Sequence, residues 1–149
     1  MINIISIKTK FGWISAFEEK NRIYKVKFGK HKNKCISKNL RNFKFNLNNY
    51  LNRKSKSIKC NFIIKGNAIQ KKVWKELKNI KFGETKTYGD IAKKYKLSPR
   101  HVGKICGQNN IILAIPCHRV IRSDGTMGGF SSTGGINLKK KLLDFEKTN

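Results

Sequence analysis

The chain has 149 residues, 34 Lys and Arg against 8 Asp and Glu, and a formal net charge of +26. Hydrophobic residues make up 38%, enough for one large or two small cores. No apolar run approaches a membrane-spanning helix, and the first residues lack the charged head and cleavage site of a signal peptide, so a cytoplasmic location is expected. Four cysteines without CxxC spacing fit free thiols in a reducing compartment. The charge attracts polyanions, but an AT-rich coding composition also enriches Lys, so it supports nucleic-acid binding without locating it.

In chain order, strands are predicted over residues 2–7, 12–17 and 22–28, the last alternating apolar and basic residues, with a hairpin turn at 19–21. Leu40, Phe43, Leu47, Tyr50 and Leu51 recur at helical spacing. Residues 60–64 are predicted as a further strand. His31 and Cys35 stand four apart, too few ligands to specify a metal site. The composition divides the chain into an N-terminal α/β domain, 1–65, with an antiparallel sheet, and a helical C-terminal domain, 66–149, an α+β fold overall.

Val73, Trp74, Leu77 and Ile80 mark a helix over about 68–79, and a second short helix covers 87–95. Ser98 is a good N-cap and Pro99 a good first residue for a third helix, through Arg100, Val102, Ile105 and Cys106 to Gly107. Two short helices with this connection read as a helix-turn-helix, in a winged-helix-like setting, or equally as an ordinary helical hairpin, and Arg100, His101 and Lys104 give the second helix a basic face that suits nucleic acid or plain solvent. An apolar run, 111–115, suits a buried extended segment leading into Pro116, Cys117 and His118. Pro116 presents Cys117 at a rigid bend beside an imidazole, and a thiolate made by a nearby base is a strong nucleophile. A glycine-rich loop, 128–135, follows, then a helix with Leu138, Leu142, Leu143, Phe145 and Glu146.

The run Pro116-Cys117-His118-Arg119-Val120 resembles the reactive motif of the O6-alkylguanine-DNA alkyltransferases. Other landmarks of that family follow in the same order: Val73-Trp74, Gly83-Glu84-Thr85 with Tyr88-Gly89, Ser98-Pro99-Arg100, Asn109, and Leu142-Leu143 with Glu146. The resemblance implies direct, single-turnover, cofactor-free repair of O6-alkylguanine in double-stranded DNA by a monomer. It makes Cys117 the acceptor, His118 the base acting through a water, and Glu146 its orienting carboxylate. Tyr88 becomes the donor to the purine, Asn109 the hinge residue, and Arg100 the finger filling the stack after the base flips out through the minor groove. Main-chain groups at Cys117, Val120 and Ser131 would hold the base, with Phe130 stacking nearby. Departures are Asn110, where the family usually has Pro, Phe130, where Tyr is common, and a longer loop from Ser131. No zinc ligand set is visible in the N-terminal domain. The residues alone also admit a cysteine hydrolase built on Cys117, His118 and Glu146, or a DNA-binding regulator using the helix-turn-helix.

Overall fold

The computed structural model describes residues 1–128 and 135–147. The chain divides into two compact units: Met1–Lys65 with Asn110–Ala114, and Gly66–Asn109 with Ile115–Asn149.

In the first unit, β1 (Ile2–Thr9), β2 (Gly12–Glu19) and β3 (Arg22–Phe28) form an antiparallel sheet in the order β1-β2-β3. The two-residue turn between β2 and β3 places Lys20 and Asn21 at φ 52° and 62°. That is the left-handed geometry that matches the strand twist in a tight hairpin. Helix α1 (Lys38–Leu51) starts at Ser37, whose side chain accepts from the Leu40 amide. Its buried stripe of Leu40, Phe43, Leu47 and Tyr50 lies against the sheet face carrying Ile14, Ala16 and Val26. Burying each large side chain contributes about 1.5–3 kcal/mol. Two sequence expectations fail here. The segment 60–64 makes only one bridge, Phe62 to Ile23. The run 111–115 bridges Val26 at Ile111, then turns, with Leu113 at φ 70°. Apolar composition marked both as buried, but neither has a partner strand long enough for a ladder.

In the second unit, α2 (Ala68–Lys78) opens with a reciprocal capping box between Asn67 and Gln70. Its Trp74 indole donates to the Ile105 carbonyl at 3.1 Å, tying α2 to α4 (Pro99–Gly107). Glu76, 4% exposed, takes Lys86, Lys94 and Tyr95 at 3.2, 2.8 and 3.0 Å. The Lys94 hydrogen bond leads the contacts that hold its carboxyl down at about 2. Helix α3 (Tyr88–Tyr95) is capped by Thr87 and Asp90, and its C-cap Lys96 is left-handed. Ser98 then caps α4 by accepting from the His101 amide, with Pro99 in the first turn, as the sequence predicts. Strands β4 (Lys86–Thr87) and β5 (Val120–Ile121) pair in parallel, Lys86 with Val120 and Thr87 with Ile121. This short ladder sets the start of α3 beside the turn that carries Cys117. Helix α5 (Gly135–Lys147) buries Leu138, Lys139, Leu142, Leu143, Phe145 and Glu146. The fold is mixed α+β. Among the described residues no helix is long and apolar enough to cross a membrane.

Candidate active site

Cys117, His118 and Arg119 form one turn of 3-10 helix directly after Pro116, the bend at which the sequence places Cys117. The Cys117 amide donates to the Ile115 carbonyl and the Arg119 amide to the Pro116 carbonyl, at 2.8 and 3.0 Å, which closes the bend. Asn109 donates from its side chain to the Ile115 carbonyl at 2.8 Å and also hydrogen-bonds Cys117. Asn109 thus clamps both the residue entering the bend and Cys117, even with Asn110 following it.

Burial pushes the Cys117 thiol up, against the Asn109 hydrogen bond and the positive charge of Lys139. At rest the sulfur is therefore a protonated thiol, 5% exposed, and needs a base to become a nucleophile. His118 lies next to it, 1% exposed. Its Nε2 is 2.9 Å from Glu146 Oε2. Burial alone would push the Glu146 carboxyl up, but hydrogen bonds from Arg119 and His118 outweigh it and hold the group at about 2. A carboxylate only accepts, so Nε2 carries the proton and Nδ1 presents a lone pair. Burial keeps His118 below its usual range despite that partner, so the ring is neutral and ready to take a proton.

Sequence reasoning gave Arg119 no role. Its Nε donates to Glu146 Oε1 and its Nη2 to Oε2, both at 2.8 Å, while Nη1 donates to the Ile80 carbonyl at 2.7 Å. This bidentate clamp orients the carboxylate that orients His118. A glutamate in the last turn of a terminal helix reads as solvated, yet Glu146 is 4% exposed. No periodicity in the sequence reveals that Arg119 meets it.

A cavity of about 660 Å³ opens above the sulfur, lined by Tyr88, Arg100, Gly103, Cys106, Cys117 and Gly128 among others. That volume suits a small aromatic ligand. Burial pushes the Tyr88 phenol up to about 12, so it is a neutral donor. Lys139 donates to the phenol oxygen at 3.1 Å and lies 5.4 Å from the ring centre. That leaves the phenol hydrogen for another acceptor. Lys139 is fully buried, and burial lowers it to about 8. The sequence did signal it: it precedes Leu142, Leu143 and Glu146 by three, four and seven residues, a charge on the buried face of α5. Gly128 has φ 65°, and a Cβ there would meet Tyr88 at 2.8 Å. Arg100 is exposed near the start of α4 and lines the cavity, whereas Val120 is fully buried in β5. Ser131 and Phe130 lie outside the described residues. Among those residues no cluster of three or more His, Cys, Asp or Glu could hold a metal, and His31 packs edge-on against Phe17 at 5.0 Å.

The family model for the DNA-binding domain of 6-O-methylguanine DNA methyltransferases matches residues 68–148. The methylated-DNA–protein-cysteine methyltransferase of Saccharomyces cerevisiae (strain YJM789) is 34% identical over 140 residues, covering 93% of this chain and 72% of the relative. That of Sulfolobus acidocaldarius is 47% identical over 83 residues, covering 56% and 52%. Among solved structures, the Mycobacterium tuberculosis O6-methylguanine methyltransferase superposes with a TM-score of 0.86 at 28% identity, over 99% of this chain and 93% of that one. The crystal structure of Mycobacterium tuberculosis OGT in complex with DNA gives 0.85 at 28% identity, over 97% and 92%. With the reactive turn and the clamped His118–Glu146 pair both inside the matched span, the chain belongs to the 6-O-methylguanine DNA methyltransferase family.

Proposed function

We propose that this protein repairs DNA directly, moving the alkyl group of O6-alkylguanine irreversibly onto Cys117. The observation that carries this reading is a buried, protonated Cys117 beside a neutral His118 whose Nε2 is fixed by Glu146, under a cavity that also holds the Tyr88 phenol.

The steps follow from the protonation states. His118 Nδ1 takes the thiol proton through a water, and Glu146 stabilises the imidazolium formed. The sulfur attacks the alkyl carbon in line, a C–S bond forms, and the C–O bond breaks with its electrons passing to the purine. Tyr88 donates its hydrogen to the purine as it leaves, and Lys139 at the phenol oxygen stabilises the negative charge that develops there. Protons and electrons balance among these groups, so the reaction draws on no cofactor. The product thioether is a poor leaving group, and the protein stops after one turnover.

Duplex DNA is the partner. Inside a duplex the alkylated base is out of reach, so it must rotate into the cavity. We infer that α3 and α4 act as a helix-turn-helix in the minor groove and that Arg100 fills the vacated stack. Support comes from its exposed position near the start of α4, at the cavity wall with Tyr88 and Gly103. Every group in this scheme comes from one chain, which suits a monomer. A cysteine hydrolase fits less well: the Cys117 amide, a natural oxyanion donor, is already committed to the Ile115 carbonyl. A pure DNA-binding regulator would have no use for the His118–Glu146 relay.

Incubation with an O6-methylguanine duplex and mass spectrometry of the digested protein tests the proposal. One methyl group is expected on Cys117 and then no further reaction, while Cys117→Ala binds DNA without transfer. Continued turnover, or a methyl on Cys35, Cys60 or Cys106 instead, refutes it.

A further inference from the structure

Half the basic residues of the chain lie in the unit without the reactive site. Met1–Lys65 with Asn110–Ala114 holds 17 Lys and Arg against Glu18 and Glu19, a net charge of +15. Composition bias toward Lys explains the number, but not the arrangement. On the sheet face opposite α1, β2 carries Trp13, Ser15 and Phe17, and register pairs Ser15 with Lys27 and Phe17 with Lys25. Tyr24 joins this row, with its ring 6.4 Å from that of Phe17. Lysines rest on each aromatic. Lys30 Nζ is 4.8 Å from the Trp13 ring centre, Lys25 and Lys27 are 5.9 and 5.5 Å from that of Phe17, and Lys65 is 5.3 Å from that of Tyr24. All four fall within cation–π range.

Such stacking holds an ammonium group near one place without neutralising it, because an aromatic face carries no net charge. A carboxylate would cancel the charge. Glu18 is 1% exposed and takes the Asn3 amide, and Glu19, which acts on Tyr24, is the one exposed carboxylate of this unit. Exposed Lys32 and Lys34 extend the positive charge along the segment that continues from Lys30. The result is a row of pre-positioned cations on the sheet, with Glu19 the one exposed carboxylate, at its Tyr24 end.

We propose that this face of the N-terminal unit is a second DNA-binding surface, taking the phosphate backbone of an undamaged duplex independently of sequence. Phosphate neutralisation by lysines is the main source of non-specific affinity. Lysines restrained on aromatic rings give up less conformational freedom when they meet a phosphate. The surface would let one molecule hold DNA while the α3–α4 unit is disengaged.

The test compares two four-site variants of the full chain with equal loss of charge. One is Lys25→Gln, Lys27→Gln, Lys30→Gln and Lys65→Gln. The other removes exposed lysines elsewhere in the same unit: Lys38→Gln, Lys44→Gln, Lys54→Gln and Lys56→Gln. For an undamaged duplex, log K against log salt should lose about 0.9 of slope per phosphate contact removed, so roughly 2–4 for the first variant and under ~1 for the second. Equal losses in the two variants, or none in the first, overturn the proposal, as does a larger effect on anionic vesicles than on the duplex. A second measurement uses the unmodified protein. Trp74 is 2% exposed, so acrylamide quenching reports Trp13, and a duplex should reduce it several-fold. Unchanged quenching at saturating DNA overturns the assignment. Transfer from a free O6-benzylguanine base should be unaffected in both variants, which separates failure here from failure of the repair reading.

Discussion

Replacing Glu146 with Gln tests whether one carboxylate serves both structure and chemistry. In the native protein it accepts from Arg119 twice and from His118 once, all at 2.8–2.9 Å and away from water. Gln keeps the shape and loses the charge, which leaves the Arg119 guanidinium buried against a neutral group and its own NH2 directed at a donor. The size of the penalty follows from the pull on the carboxyl. A fall from 4.5 to about 2 corresponds to about 3 kcal/mol of folding stability. Independently, breaking a buried ion pair costs roughly 3–5 kcal/mol. The sign is that of a depressed acid: this stability is fully present above pH 4.5 and is lost as pH falls toward 2. Urea denaturation at pH 7 should show the deficit, and the variant's acid-induced loss below pH 4.5 should be shallower than in the native protein. Single-turnover transfer from an O6-methylguanine duplex should slow by about 10²–10⁴, because His118 loses its tautomer restraint and its stabilised imidazolium. Duplex affinity should hold. A native transfer rate in the folded variant would refute the relay, and a native urea midpoint would refute the clamp.

Arg100→Ala should slow repair in a duplex while a free O6-benzylguanine base, which needs no flipping, reacts almost normally; equal slowing on both substrates, or none, removes Arg100 as the finger. Lys139→Met should slow methyl transfer without lowering stability at pH 7, since burial drives the amine from 10.5 to about 8 and the folded state gives up protons that the unfolded chain keeps. In the native protein stability should accordingly rise between pH 8 and 10.5, and the variant should lose that rise; a destabilisation beyond about 2 kcal/mol would show that the ammonium supports the fold. Gly128→Ala should displace Tyr88, because the new Cβ would lie 2.8 Å from the ring at a backbone of φ 65°, with a transfer rate at least tenfold lower and a strain cost of about 1–2 kcal/mol; a crystal structure with Tyr88 unmoved would refute it. Acidification below 6.5 should destabilise the native protein before Glu146 titrates, since His118 is held neutral by burial while the unfolded chain takes up a proton; a His118→Asn variant showing the same loss would place its origin elsewhere.

Features settled between neighbours along the chain were legible before folding. Ser98 and Pro99 start α4, Asn67 with Gln70 starts α2, and Lys20-Asn21 turns the hairpin, because caps and tight turns are settled within about four residues. The reactive turn could be read for the same reason: Pro116, Cys117 and His118 are adjacent. The rest of the site comes together through packing between distant segments. Arg119 reaches Glu146 across 27 residues, and Lys139 reaches Tyr88 across 51. Residues 111–115 read as a buried extended segment, but Ile111 bridges Val26 and the chain then turns. A buried charge is stable only where its partner is, and where that partner lies depends on how α5, β4 and the Cys117 turn pack. Periodicity could mark Lys139 as lying on the buried face of α5, while Glu146 reads as a solvated residue near a helix end. Neither composition nor periodicity could name Tyr88 as the partner of Lys139, or His118 and Arg119 as the partners of Glu146.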